Sequence, residues 1–262
     1  VTHRSATLLF LALAAACGGG AAVSGPETAQ PRRGAPPTPT AYHAGGLTHF
    51  RFERADTVIS ILPNGGRQQL VIERRLLLGW QVLQAANGLE LVVTIDSARI
   101  IGAPGGGRSM EDSARGTVIR AGLSPAGRLS AITSTSDNGI AHAFRAELPW
   151  LVPVLATEGA PVSDTLDTTV RFNVVDVLER AIRTTTADSA FTVTGVVTRD
   201  GVSPQLTLKG SGIRQATGKL RADGQVDRIA GRDSVAMTVT VTQMGQSIDI
   251  LQFGGFALTP IP

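Results

Sequence analysis

Apolar and polar residues alternate in short runs along most of this chain, and glycine, proline and asparagine separate the runs. Thr48, Phe50 and Phe52 alternate with His49, Arg51 and Glu53, the period-2 pattern of a half-buried strand. Thr57–Leu62 follows, and Pro63-Asn64-Gly65-Gly66 marks a turn. The long apolar-rich run 69–84 is answered by 89–101 across Ala86-Asn87-Gly88, a strong hairpin signal. A second hairpin is predicted from 115–123 and 128–134 around Ser124-Pro125-Ala126-Gly127. Further on, 165–174, 190–199, 205–209, 218–222, 225–229, 235–241 and 247–253 read as strands.

One helix is predicted at about 138–148. Ile140, Phe144, Leu148 and Leu151 share a face. Asp137 or Ser136 is placed to cap its start, and Pro149 and Pro153 limit its end. Residues 174–182 fit either helix or strand. The expected fold is therefore mainly β: an antiparallel, strongly curved sheet or open β-barrel with one short helix. Gly116-Thr117-Val118 with Gly127-Arg128-Leu129 echoes Gly218-Lys219-Leu220 with Gly224-Gln225-Val226. Either a pseudo-repeat with halves at about 47–136 and 149–253, or two ordinary hairpins, explains that echo.

Composition agrees. The chain has 262 residues, 42% hydrophobic but only 4% aromatic, so aliphatic and β-branched residues must carry the core. The net charge is +3, with nearly all the cations arginine, and the basic residues are scattered. Nucleic-acid binding needs clustered cations interleaved with aromatics, so no nucleic-acid partner is expected.

The N-terminus departs from the β pattern. Arg4 precedes the apolar run Leu8–Ala16, and Ala14-Ala15-Ala16 leads into Cys17, the sole cysteine. This is the layout of an export signal. The run is too short to span a bilayer, which takes roughly 20 apolar residues. Residues 18–46 are rich in Gly, Pro, Ala and Thr, the composition of an extended linker. Three segments are expected: a signal peptide at 1–16 that forms the true N-terminus, a disordered tether at 17–46, and a single all-β domain at 47–262.

The Ala14-Ala15-Ala16-Cys17 junction resembles the lipobox of bacterial lipoproteins, with Ala14 where that family usually has Leu. The resemblance implies a diacylated Cys17 that becomes the acylated N-terminus after cleavage. Two or more acyl chains anchor a protein stably. Gly18 stands where an Asp would imply retention at the inner membrane, so a cell-envelope location is expected, at the outer membrane facing the periplasm or at the cell surface.

Few motifs carry chemistry. Gly102-Ala103-Pro104-Gly105-Gly106-Gly107-Arg108-Ser109 is superficially like a phosphate loop, but it lacks the Lys, and no helix is expected before Gly116. Ser136-Asp137-Asn138 matches one β-lactamase element, yet neither Lys209 nor Lys219 has a Ser three residues before it. Gly210-Ser211-Gly212 is not a nucleophile elbow. His49 and His142 lack a third metal ligand. Asp164/Asp167 and Glu111/Asp112 fall in expected loops, where acids are usually solvated. No catalytic residue, cofactor or metal site is expected, and the chain does not read as an enzyme. Lipidation of Cys17 is the one chemistry assigned to a residue.

Residues 148–154, Leu-Pro-Trp-Leu-Val-Pro-Val, with Glu158-Gly159 before Ala160–Thr165, resemble a segment of uncharacterised bacterial envelope lipoproteins. That resemblance implies a curved antiparallel sheet or open barrel, and no activity. Lipoprotein carriers of the LolA and LolB kind have such sheets and hold acyl chains in the concavity, an analogy of fold alone. Two functions fit the sequence. One is a membrane-anchored lipoprotein binding a lipid or other hydrophobic small molecule. The other is a structural or interaction protein that contacts envelope partners without a ligand cavity. A membrane β-barrel would want aromatic girdles, and Tyr42 is the single tyrosine.

Overall fold

A computed structural model of the protein describes residues 41–102, 108–155, 160–172, 175–187, 190–221, 224–242 and 245–262. Cys17 and the segment 1–16 lie outside the described residues, as do 103–107 of the glycine loop and Glu158-Gly159.

Among the described residues, eleven strands and two helices follow one another. They are β1 (Thr48–Ile61), β2 (Arg67–Ala85), β3 (Gly88–Ile101), α1 (Arg108–Ala114), β4 (Val118–Leu123), β5 (Leu129–Ser134), α2 (Gly139–Leu151), β6 (Val162–Phe172), β7 (Val175–Ala187), β8 (Phe191–Val202), β9 (Leu206–Leu220), β10 (Val226–Val241) and β11 (Gln246–Pro260). All strands join one antiparallel sheet in the order β5-β4-β3-β2-β1-β11-β10-β9-β8-β7-β6. Two meanders, β1–β5 and β6–β11, thus share a central seam where β1 pairs with β11, Phe50 opposite Pro260. The sheet stays open between β5 and β6, and α2 lies against both of those strands.

The mainly-β expectation holds, and the sheet is an open one. Its strands are longer than the apolar runs suggested. Runs 205–209 and 218–222 fall within or beside one strand, β9, and runs 225–229 and 235–241 do so for β10. The intervening residues, Gly210, Gly212, Arg214 and Asp233, break the apolar pattern but keep the ladder. The ambiguous 174–182 stretch is strand from Val175.

Helices correct the expectation in two ways. A helix does fit before Gly116: α1 has no β-branched residue, carries Glu111 in its first turn, and is followed by Gly116 at φ +77°. The predicted helix, α2, is capped by Asn138 instead of Asp137 or Ser136. Asn138 Oδ1 accepts from Ala141 N–H at 2.8 Å. The helix also runs through Pro149 to Leu151, and the Pro149 carbonyl accepts a hydrogen bond from Arg183.

The main core lies between α2 and the concave face of the sheet. Phe144, Leu148, Trp150 and Leu151 from the helix meet Phe50, Phe52, Leu78, Val193 and Leu258 from the strands, all essentially sealed from solvent. Phe144 and Phe52 pack edge to face, 5.2 Å between centroids. The sheet makes room for Trp150 at Gly195 on β8, where a Cβ would fall 2.6 Å from the indole.

The folded body begins before position 47. Tyr42 is buried, its hydroxyl donates to the Pro153 carbonyl at 3.0 Å, and Gly45 N–H bonds the Val82 carbonyl at 2.9 Å. The last residues assigned to the tether are thus part of the domain, because Tyr42 supplies apolar area that the core takes up.

Candidate functional site

Side chains alternate strictly between the two faces of a strand, so every second residue of each strand points into the concavity. On β1 the inward series is Phe50, Phe52, Arg54, Asp56 and Val58. Two apolar residues come first, then two charges, then an apolar one. Other strands also set a charge between inward apolar residues. β2 places Arg74 between Leu76 and Ile72, and β10 places Asp233 between Ile229 and Val235. On β7, Glu179 sits between Ala181 and Val177. Arg54 lies opposite Arg74, Asp233 opposite Arg214, and Glu179 opposite Arg199.

The register therefore draws a belt of charge across the inner face. It separates the core under α2 from a smaller apolar cluster of Val177, Leu208, Val235, Met237, Val239 and Ile250. From above, α2 lowers Glu147 onto the belt.

Burying charge is costly unless each charge is paired and hydrogen-bonded, and here the pairing is dense. Arg54 donates to Asp56 (Nη2–Oδ1, 2.6 Å), to Asp233 (Nη2–Oδ2, 2.8 Å) and to Glu147 (Nη1–Oε2, 3.2 Å). Arg214 donates to Asp233 at 2.7 Å and Glu147 at 2.9 Å. Asp56 also accepts from Arg74 at 3.1 Å and from the Gln252 amide at 3.1 Å. Arg199 donates to Glu179 at 2.8 Å and to Gln252 Oε1 at 2.9 Å. The Arg214 guanidinium stacks 5.0 Å from the centre of Trp150 and 5.5 Å from that of Phe256. Gly254, between Asp56 and Asp233 in the ladder, leaves the space in which the carboxylates and Arg54 meet.

Ionisation follows from this geometry. Burial alone would raise the Asp56 carboxyl, but Arg54 and Arg74 outweigh it and hold the group at about 2. Burial also opposes the charge on Asp233, and Arg214 with Arg54 keeps it below the usual carboxylate range. For Arg54 and Arg214 the same balance runs the other way: burial disfavours the cation, while the surrounding carboxylates fix it.

Beside the belt lies a cavity of about 320 Å³ between α1, α2 and the sheet, at the small end of the range for ligand pockets. Val58, Ile72, Ile100, Met110, Ile140 and Ala143 form apolar walls, and Arg54, Asp56, Arg74, Glu147, Glu179 and Arg199 contribute to a polar floor. Arg74 is the more open of the central arginines, its side chain 17% exposed.

The sequence candidates lie elsewhere. His49 faces Asp96 at 3.4 Å, and His142 pairs with Asp137. Among the described residues no group of three or more His, Cys, Asp or Glu could hold a metal. Asp164 and Asp167 are in strand β6, not a loop, and pair with Arg183 and Arg180. Glu111 and Asp112 are helical, and Glu111 accepts from Ile100 N–H at 2.7 Å. Ser136 and Asp137 precede the cap Asn138, and Gly210-Ser211-Gly212 is mid-strand in β9. None of the belt residues is among the sequence candidates. The available signal was their phase: Arg54 and Asp56 share parity with Phe50 and Phe52.

On the outer face, Ile182, Val196 and Ile213 are direct cross-strand neighbours, 59%, 54% and 66% exposed. The same row continues through Ser234 to Phe253, Thr57 and Val71.

No family model matches this chain, and no curated protein matches it. Among solved structures it is similar to a LolA superfamily protein from Nitrosomonas europaea. The identity is 12%, the match covers 77% of this chain and 83% of that one, and the TM-score is 0.15. A likeness of that degree says nothing about what this chain binds.

Proposed function

We propose that this protein is an envelope lipoprotein, held on a membrane through acylated Cys17, whose open half-barrel binds an amphiphilic small molecule. The observation that carries the reading is the cavity beside the charge belt. It joins aliphatic walls to a polar floor, so one guest would need both an apolar body and a polar head. The smaller apolar cluster beyond the belt adjoins this floor at Val58 and Met237, which extends the apolar surface available to a chain. A tether behind Cys17 would hold the domain clear of the headgroups.

The test is extraction. The full chain carrying Cys17→Ser, prepared from its host without detergent, should release a reproducible amphiphile on denaturation, read by mass spectrometry. Recovery of no lipid from repeated preparations overturns the binding reading. The anchor is tested separately: the same variant should leave the membrane fraction, and its retention there would overturn the anchor.

An envelope interaction protein without a ligand is the second reading. The observation favouring it is the exposed outer row Ile182, Val196, Ile213 and Phe253, since aliphatic rows of this kind mark contact surfaces.

A further inference from the structure

Resting on the amphiphile reading above, we infer that the cavity selects an anionic head group, a carboxylate on an aliphatic chain, bound by guanidinium N–H groups of Arg74 and Arg199 that make no hydrogen bond among the described residues. The charges in the belt balance, with Arg54, Arg74, Arg199 and Arg214 against Asp56, Glu147, Glu179 and Asp233. The hydrogen-bonding capacity does not balance, and that asymmetry sets the preference.

Every carboxylate in the belt accepts at least one hydrogen bond, and only Glu147 Oε1 and Glu179 Oε1 accept none among the described residues. Asp56 accepts from Arg54, Arg74 and Gln252, and Glu147 and Asp233 each accept from Arg54 and Arg214. Glu179 accepts from Arg199. A cationic head could reach only Glu147 Oε1 and Glu179 Oε1, each on a carboxylate already paired with arginine, and would sit against like charge.

Donors are in surplus, because a guanidinium carries five N–H bonds. Arg74 uses Nη2 alone, towards Asp56, so its Nε and Nη1 make no hydrogen bond among the described residues. Arg199 uses Nε and Nη1, and its Nη2 makes none among the described residues. Both side chains line the cavity floor, linked through Gln252 and Asp56. A carboxylate is acceptor-only and matches a guanidinium fork two bonds at a time. Its chain would then lie along Val58, Ile72, Ile100 and Ile140. An alcohol head brings one hydroxyl and no charge, so it satisfies this floor less well.

The experiment is a calorimetric head-group series on the full chain carrying Cys17→Ser, delipidated, near neutral pH. The probes are dodecanoate, dodecanol, dodecyltrimethylammonium and acetate, each below its aggregation threshold. Dodecanoate should bind about tenfold or more tighter than dodecanol, the effect of one charge-assisted hydrogen bond, and dodecyltrimethylammonium should bind more weakly than dodecanol. Arg74→Gln should remove most of the dodecanoate preference and leave dodecanol binding in place. Equal affinity for dodecanoate and dodecanol overturns the inference while leaving the amphiphile reading intact, as does a preference that survives Arg74→Gln. Acetate binding as tightly as dodecanoate also overturns it, by showing an anion site with no use for the chain. Failure of every alkyl probe to bind overturns the amphiphile reading itself. The series on the unsubstituted belt decides the matter even if Arg74→Gln fails to fold.

Discussion

Asp233→Ala should be among the most damaging single substitutions in this protein, although Asp233 lies outside the aromatic core. Its carboxylate takes Arg54 Nη2 at 2.8 and 3.1 Å, Arg214 Nε at 3.0 Å and Arg214 Nη2 at 2.7 Å. The side chain is 3% exposed, and its partners are 2% and 4% exposed. Removing it leaves two largely buried guanidiniums underpaired. Breaking a buried pair in this way costs about 3–5 kcal/mol, a large share of the ~5–15 kcal/mol that holds a typical domain. For a domain of this size that is a fall of roughly 10 °C in melting temperature. Urea unfolding followed by tryptophan fluorescence would read it as a lower midpoint at unchanged slope. The double variant Asp233→Ala/Arg214→Met should recover part of the loss, because one stranded charge leaves and an apolar chain fills the space beside Trp150 and Phe256. A loss below about 1 kcal/mol for the single variant would refute the reasoning, since that is the scale of an exposed ion pair. Strict additivity in the double variant would refute it too.

Three further predictions follow from the same geometry. The Asp56 and Asp233 carboxyls are depressed in the folded state, so their stabilisation is complete above the unfolded value near pH ~4. It drains away as the pH falls towards about 2 for Asp56; urea midpoints measured across that window should drop, and Asp56→Asn should flatten the drop. Gly195→Ala should destabilise by about 1–3 kcal/mol, because the new Cβ meets the Trp150 ring at 2.6 Å and the Ile182 carbonyl at 3.1 Å; thermal melting checks this, and an unchanged melting temperature would show that the helix end can shift. Asn138→Ala should cost about 1 kcal/mol or more, through loss of the α2 cap and of the Nδ2 bond to the Ser113 carbonyl, whereas Asn138→Asp should keep the cap but lose that bond, and so recover only part of the loss in the same assay.

The sheet was legible in the sequence wherever alternation was apolar, as in Val235, Met237, Val239 and Val241, and wherever a turn was marked by glycine, as at Asn87-Gly88. It became illegible where the belt crosses. Arg54, Arg214 and Asp233 occupy inward positions that a hydrophobic pattern leaves blank, so continuous strands read as broken ones. The cluster itself was hidden because its members are far apart along the chain, Arg54 and Asp233 being separated by 179 positions. Their meeting depends on register, which no local window contains. Glu147 was equally hidden: on a helix facing a core, an acid reads as the solvent side until its partners are known.

The seam between β1 and β11 has a kinetic consequence. Each meander can zip from its own hairpins, whereas the pairing of Arg51 with Thr259 must wait for a closure across nearly the whole domain. Contacts of such long sequence separation slow folding. Until that seam closes, Arg54, Asp56 and Arg74 sit on one half, Arg199, Arg214 and Asp233 on the other, and Glu147 on the helix between them. Pairs within one half, Arg54 with Asp56 and Arg214 with Asp233, can form early, but Arg54 with Asp233 and the bonds to Glu147 must wait for the parts to meet. Docking of the halves then exchanges the water left on Arg54 and Asp233 for each other's charge.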